Sequence, residues 1–109
     1  MSTLDLSTCT GAEWLAWAAG QFPAIRNRVD LEGLAAKVDP RDAFDALDLW
    51  GSGQSEVMQA IVRTLCGFWH DTAPWRCKCP HGSIAGLWCR LDLGNKAGLR
   101  RVLDHARYF

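Results

Sequence analysis

The chain has 109 residues, of which 49% are hydrophobic and 22% charged. This composition is typical of a single globular domain covering residues 1–109 and excludes a disordered chain. A formal net charge of zero argues against a general polyanion binder, and we find no signal-peptide pattern and no run of about 18 apolar residues that would predict a membrane segment.

Charge is distributed unevenly along the chain. Residues 1–62 contain nine acidic residues and four Lys or Arg, whereas residues 63–109 contain three acidic residues and eight Lys or Arg. If these two parts also separate in space, the molecule has an acidic side and a basic side. The five cysteines are an odd number without framework spacing, which favours free thiols in a reducing cytoplasm.

The first predicted element is a helix. Thr10 and Glu13 match the capping-box pattern, which predicts a helix that begins at about Gly11. Gly20 and Pro23 are expected to end it. Its apolar residues spread over more than one narrow stripe, and plain core packing is the simplest interpretation.

Two N-cap patterns follow. Asp30 precedes a short predicted helix from about Leu31 to Val38, with Leu31, Leu34, Ala35 and Val38 on one face. Asp39 and Pro40 begin a longer helix that runs to about Trp50.

Three aspartates recur every third residue on the outer side of this longer helix: Asp42, Asp45 and Asp48. Such a row is ordinarily a solvated helix face. It could also imitate a nucleic-acid backbone or dock on a basic partner, so we keep it as a candidate binding surface.

The segment from about Gln54 to Trp69 has the longest and most apolar helical pattern in the chain. Only a thin polar strip interrupts it. A helix that is apolar over most of its circumference is usually covered on several sides, so we expect the domain to pack around this helix.

The segment WRCKCPHGSIAGLWCR, residues 75–90, indicates a β-hairpin. Residues alternate in polarity over Trp75–Cys79 and again over Ile84–Leu93, and the segment between has turn chemistry. The predicted fold class is therefore α+β, with about five helices around a central apolar helix and a C-terminal two-stranded antiparallel hairpin. An irregular segment such as Phe22–Val29 could add a third strand.

The last predicted element is an amphipathic helix opened by Asp92 to Asn95. Leu99, Val102 and Leu103 are expected on its inner face, and most of its basic residues on the outer face.

Four residues in and beside the predicted hairpin could bind zinc: Cys77, Cys79, His81 and Cys89. They lack the usual Cys-x-x-Cys pair. The alternation also accounts for the three cysteines as buried free thiols on the inner face of the hairpin, which we favour. We therefore expect no cofactor and keep a structural zinc as the alternative.

Patterns typical of enzymes are absent from the sequence. It has no nucleophile elbow, phosphate-binding loop, paired helical His-Glu-x-x-His or nucleotide fingerprint. We therefore predict that the protein is not an enzyme.

The outer face of the predicted hairpin carries the main candidate binding surface. It would expose Arg76, Lys78, Trp88 and Arg90. The last helix adds Lys96, Arg100, Arg101 and Arg107 to the same half of the sequence. A tryptophan framed by cations is typical of a protein-binding hot spot and also of a base-stacking platform. The alternative is a tryptophan under a loop with ordinary solvated charges around it.

These observations favour a small cytoplasmic, non-enzymatic protein-binding module of the inhibitor, adaptor or immunity type. Compact domains of this kind occur among accessory proteins of phages and mobile elements, CRISPR inhibitors included. The alternative is a nucleic-acid-binding domain that uses the basic C-terminal half and is stabilised by a structural zinc.

Overall fold

The computed structural model describes residues 9–69 and 84–105, and both ranges consist mostly of helices. These are α1 (Gly11–Gly20), α2 (Pro23–Arg26), α3 (Leu31–Ala35), α4 (Pro40–Gly51), α5 (Glu56–Trp69), α6 (Ile84–Arg90) and α7 (Leu93–Asp104). No β-strand occurs in either range. The predicted α+β class is therefore wrong for the described residues, which form a mostly helical fold.

Helix α1 lies at the centre of the fold. Its side chains at Trp14, Leu15 and Ala18 are completely buried, and it packs against α2, α3, α4 and α5. Because α1 is apolar around most of its circumference, it must be covered on several sides. It takes the central position that we predicted for the helix now defined as α5, which packs against α1, α4 and α6.

The ends of α1 agree with the sequence pattern. The Thr10 hydroxyl accepts a hydrogen bond from the Glu13 backbone N–H at 3.1 Å, and the Glu13 carboxylate accepts one from the Thr10 N–H at 3.1 Å. The predicted capping box is confirmed, and the helix ends at Gly20 as expected. The two bonds satisfy backbone N–H groups that a helix start leaves without partners.

Helix α3 begins as predicted but ends early. The Asp30 carboxylate accepts a hydrogen bond from the Gly33 N–H at 3.0 Å, yet α3 stops at Ala35. Val38 is 99% exposed and Leu34 is buried, so the prediction that they share a helix face is wrong. The proline at position 40 disfavours helical geometry at Asp39, which separates α3 from α4.

The segment Phe22–Val29 contains helix α2, so the third strand that we considered there is also wrong. Pro23 occupies the first turn of α2, where a missing N–H costs no intrahelical hydrogen bond. Phe22 and Ile25 are fully buried, which fixes this short helix against the core.

Ile84–Arg90 forms helix α6 and not the second strand of a hairpin. Leu87 and Leu91 are buried, but Cys89 between them is exposed, which contradicts its predicted burial. A spacing of four residues fits both periods, since it is two strand repeats and about one helical turn. The exposure of Cys89 fits only the helix. The predicted strand Trp75–Cys79 and its turn lie outside the described residues.

Helix α7 lies close to the chain segment that joins α1 to α2. Asn95 is buried, and its side-chain oxygen accepts a hydrogen bond from the Ala24 N–H at 3.3 Å. At Gly98, an added Cβ would lie against the Gln21 carbonyl oxygen and 2.9 Å from its carbonyl carbon. Glycine therefore permits the backbone of α7 to approach this segment closely.

We predict that Gly98→Ala destabilises the fold. Alanine is the better helix former, but its methyl group would meet backbone atoms that cannot rotate away, and overpacking of this kind costs about 1–3 kcal/mol. Urea unfolding followed by circular dichroism measures the change. Gly53→Ala is the matched control, since the nearest atom to its added Cβ is the Trp50 carbonyl oxygen at 3.9 Å. Equal stability of the two variants would contradict the close packing at Gly98.

Candidate functional site

A contact between α6 and α7 defines the candidate site. The ammonium group of Lys96 lies 5.7 Å from the centroid of the Trp88 ring, within cation–π distance. Trp88 is 37% exposed, so part of the ring faces solvent while part packs on the protein. The contact holds an aromatic side chain and a cation together at the surface.

The outer face of α7 extends this site with exposed leucines and a second cation. Leu93 is 85% exposed, Leu103 is 37% exposed, and Arg100 is also exposed. Residues 93, 96, 100 and 103 follow helical spacing, so they lie along one side of α7. We call the set of Trp88, Leu93, Lys96, Arg100 and Leu103 the α6–α7 surface.

The basic residues that we predicted for one binding surface do not all lie on the same face. Arg101 lies elsewhere on α7, and its guanidinium donates to the Gln21 side-chain oxygen at 2.8 Å and to the Gln21 carbonyl oxygen at 3.3 Å. Arg90 is exposed, but residues two apart on a helix do not face the same way, so it does not share a face with Trp88. Arg76 and Lys78 lie outside the described residues.

Sequence reasoning missed the two exposed leucines. Leu93 was assigned to the inner face of a strand and Leu103 to the inner face of the last helix. For Leu93 the signal was present at Asp92, whose carboxylate caps α7 by accepting a hydrogen bond from the Asn95 N–H at 2.9 Å. Helical numbering from that cap places Leu93 beside Lys96 and Arg100, away from the buried Val102. Leu103 lies one turn after the buried Leu99, so spacing alone did not show that it is exposed.

The predicted acidic row lies on the outside of α4. Asp42, Asp45 and Asp48 are all exposed, but residues three apart on a helix are offset by about 60°, so the row winds around the helix. Leu49, 77% exposed, shares the outermost part of this surface with Asp42 and Asp45. The acidic face therefore also carries an apolar side chain.

An ion pair marks the start of α4. The Arg41 guanidinium lies 3.1 Å from the Asp39 carboxylate, and this hydrogen bond lowers the pKa of the Asp39 carboxyl. The same carboxylate, followed by Asp42 and Asp45, raises the pKa of Arg41. The pair is largely exposed, so it contributes little to stability. The Asp39 carboxylate also accepts a hydrogen bond from the Arg41 backbone N–H at 3.0 Å and so caps α4.

Of the four predicted zinc ligands, the described part of the chain contains Cys89 alone. Cys77, Cys79 and His81 lie outside the described residues, and Cys89 is an exposed thiol on α6. Across residues 9–69 and 84–105, no group of three His, Cys, Asp or Glu side chains is placed to hold a metal ion. The zinc hypothesis therefore stays a prediction from the sequence.

Comparisons with protein families, with curated proteins and with solved structures found no match. In the part of the chain that the structure describes, no helix is long and apolar enough to cross a membrane.

We expect the protein to purify without zinc. A structural site is nearly full in protein prepared without added metal, because its binding free energy is part of the folding free energy. The chain lacks the usual Cys-x-x-Cys pair, so we expect elemental analysis to find less than about 0.2 zinc per chain, whereas a true structural site would give nearly one. A stoichiometric amount that Cys89→Ser removes would establish a zinc site that includes Cys89.

Proposed function

We propose that this chain is a small cytoplasmic protein-binding module, of the inhibitor or adaptor type, and that the α6–α7 surface binds an acidic segment of a partner protein. The observation that carries the proposal is the exposed Trp88 of α6 beside Lys96 of α7, with two exposed leucines on α7. Tryptophan and arginine are the residues that most often dominate binding energy at protein interfaces.

Burial of the apolar side chains would provide a driving force for binding at this surface. Leu93 is largely exposed in the free protein, and burying one leucine side chain contributes about 1.5–3 kcal/mol. Trp88 and Leu103 add to the area that a partner could cover. A partner that binds here is therefore expected to present apolar side chains at the centre of its own contact surface.

The charges indicate which partner fits. Lys96 and Arg100 lie one helical turn apart on the α6–α7 surface. Charge complementarity steers the approach of a partner and opposes wrong partners, so carboxylates around the partner's apolar residues fit best.

A protein partner is favoured over a nucleic acid by the composition of the same helix. Leucine side chains offer no stacking surface for bases, whereas they suit an apolar protein contact. The exposed thiol of Cys89 also agrees with a reducing compartment.

We expect charge reversal on the α6–α7 surface to weaken partner binding. The test variant combines Lys96→Glu with Arg100→Glu, which places like charges opposite the partner's carboxylates. The tagged chain is used to capture proteins from its native host after nuclease treatment, and each captured protein is then purified and its dissociation constant measured. We expect at least about a 30-fold weaker dissociation constant for the variant, which corresponds to about 2 kcal/mol.

A matched control reverses two cations on another part of the fold, Arg28→Glu with Lys37→Glu. Circular dichroism should show that both double variants keep the wild-type helix content. Equal binding by the wild type and the α6–α7 variant would rule out this surface. Capture that nuclease treatment abolishes would instead support nucleic-acid binding.

A further inference from the structure

A cleft between α3 and α4 is separate from the α6–α7 surface. It has a volume of about 290 Å³, near the lower limit of small-molecule sites. Its walls are formed by residues 28–30, by α3 and Lys37, which follows α3 in the chain, and by the second half of α4. A cleft of this size suits a small ligand with one ring rather than a larger one.

Two cations line this cleft without a bound counter-charge. Arg28 and Lys37 both contribute to its walls. Among the described residues, neither has a carboxylate within ion-pair distance. Asp30 also lines the cleft, but one of its oxygens already accepts the Gly33 N–H that caps α3. The lining therefore carries a net positive charge that is available to a ligand.

The remaining walls are apolar and include an aromatic ring. Leu34 is buried, and Val29 and Trp50 are half-buried. Within the described part of the chain, the indole N–H of Trp50 has no hydrogen-bond acceptor. Tryptophan N–H groups usually find a partner when they are buried, so a ligand that covers this ring would favourably supply an oxygen acceptor.

We propose that this cleft binds a small anion that carries a planar apolar group, namely an aromatic carboxylate or an aromatic phosphate ester. Arg28 and Lys37 would bind the anionic group through charge-assisted hydrogen bonds. The ring of the ligand would lie against Trp50, Val29 and Leu34. This proposal does not depend on the proposed partner-binding function, since no residue is shared between the two surfaces.

Nuclear magnetic resonance of the full chain, labelled with ¹⁵N, tests the proposal with benzoate and phenyl phosphate as probes. The indole signal of Trp50 is assigned as the one that Trp50→Phe removes. We expect this signal to shift on titration with at least one probe, and the more tightly bound probe identifies the anionic group. Arg28→Ala with Lys37→Ala should weaken that binding at least tenfold, because it removes both cations.

Three controls make the result specific. Phenol and benzamide test the charge, inorganic phosphate tests the apolar wall, and Lys96→Ala with Arg100→Ala tests two cations outside the cleft. We expect the uncharged compounds and inorganic phosphate to bind at least tenfold more weakly than the best probe, and the control variant to bind it like the wild type.

Several results would overturn the proposal. One is the absence of any Trp50 shift at probe concentrations on the order of 10 mM, because an affinity that low is too weak for a specific site. Equal binding of charged and uncharged compounds, or unchanged binding by the Arg28→Ala, Lys37→Ala variant, would also overturn it.

Discussion

The fold depends on the burial of helix α1, whose apolar side chains cover most of its circumference. Trp14 and Leu15 have no exposed surface, so other elements must enclose the helix. Helices α2 to α5 pack against it directly. Two tryptophans of α1 also contact His105, which follows the last residue of α7. There the Trp14 indole donates a hydrogen bond to the His105 carbonyl oxygen at 3.3 Å, and the Trp17 and His105 rings meet edge to face with centroids 5.6 Å apart.

Enclosing α1 determines which residues remain available for binding. Helix α4 turns Phe44 and Leu47 toward the core and leaves its acidic face outside. Helix α7 is positioned by buried Asn95 and Gly98, so Leu93 and Arg100 point away from the core. The acidic and basic parts of the sequence thus become exposed faces of different helices, and each includes an exposed leucine. The cleft beside Trp50 forms where short α3 fails to cover the end of α4.

Local signals in the sequence predicted the helix starts well, because capping depends on residues only two or three positions apart. The caps at Thr10, Asp30 and Asp39 all agree with the pattern. The hairpin prediction failed at Ile84–Arg90, where Leu87 and Leu91 satisfy both a strand and a helix period. Which helix is central, and which of its neighbours leaves a cleft, depends on packing between distant segments, which spacing along the chain does not record.

The account depends most directly on residues 84–90 being helical, since only then do Trp88 and the outer face of α7 form one surface. The ¹³Cα chemical shifts of these residues measure the backbone conformation in solution. The account predicts a continuous run of shifts downfield of random-coil values, together with a nuclear Overhauser contact between the Trp88 ring and the Lys96 side chain. Upfield shifts over Ile84–Arg90 would indicate a strand and would contradict both the fold and the α6–α7 surface.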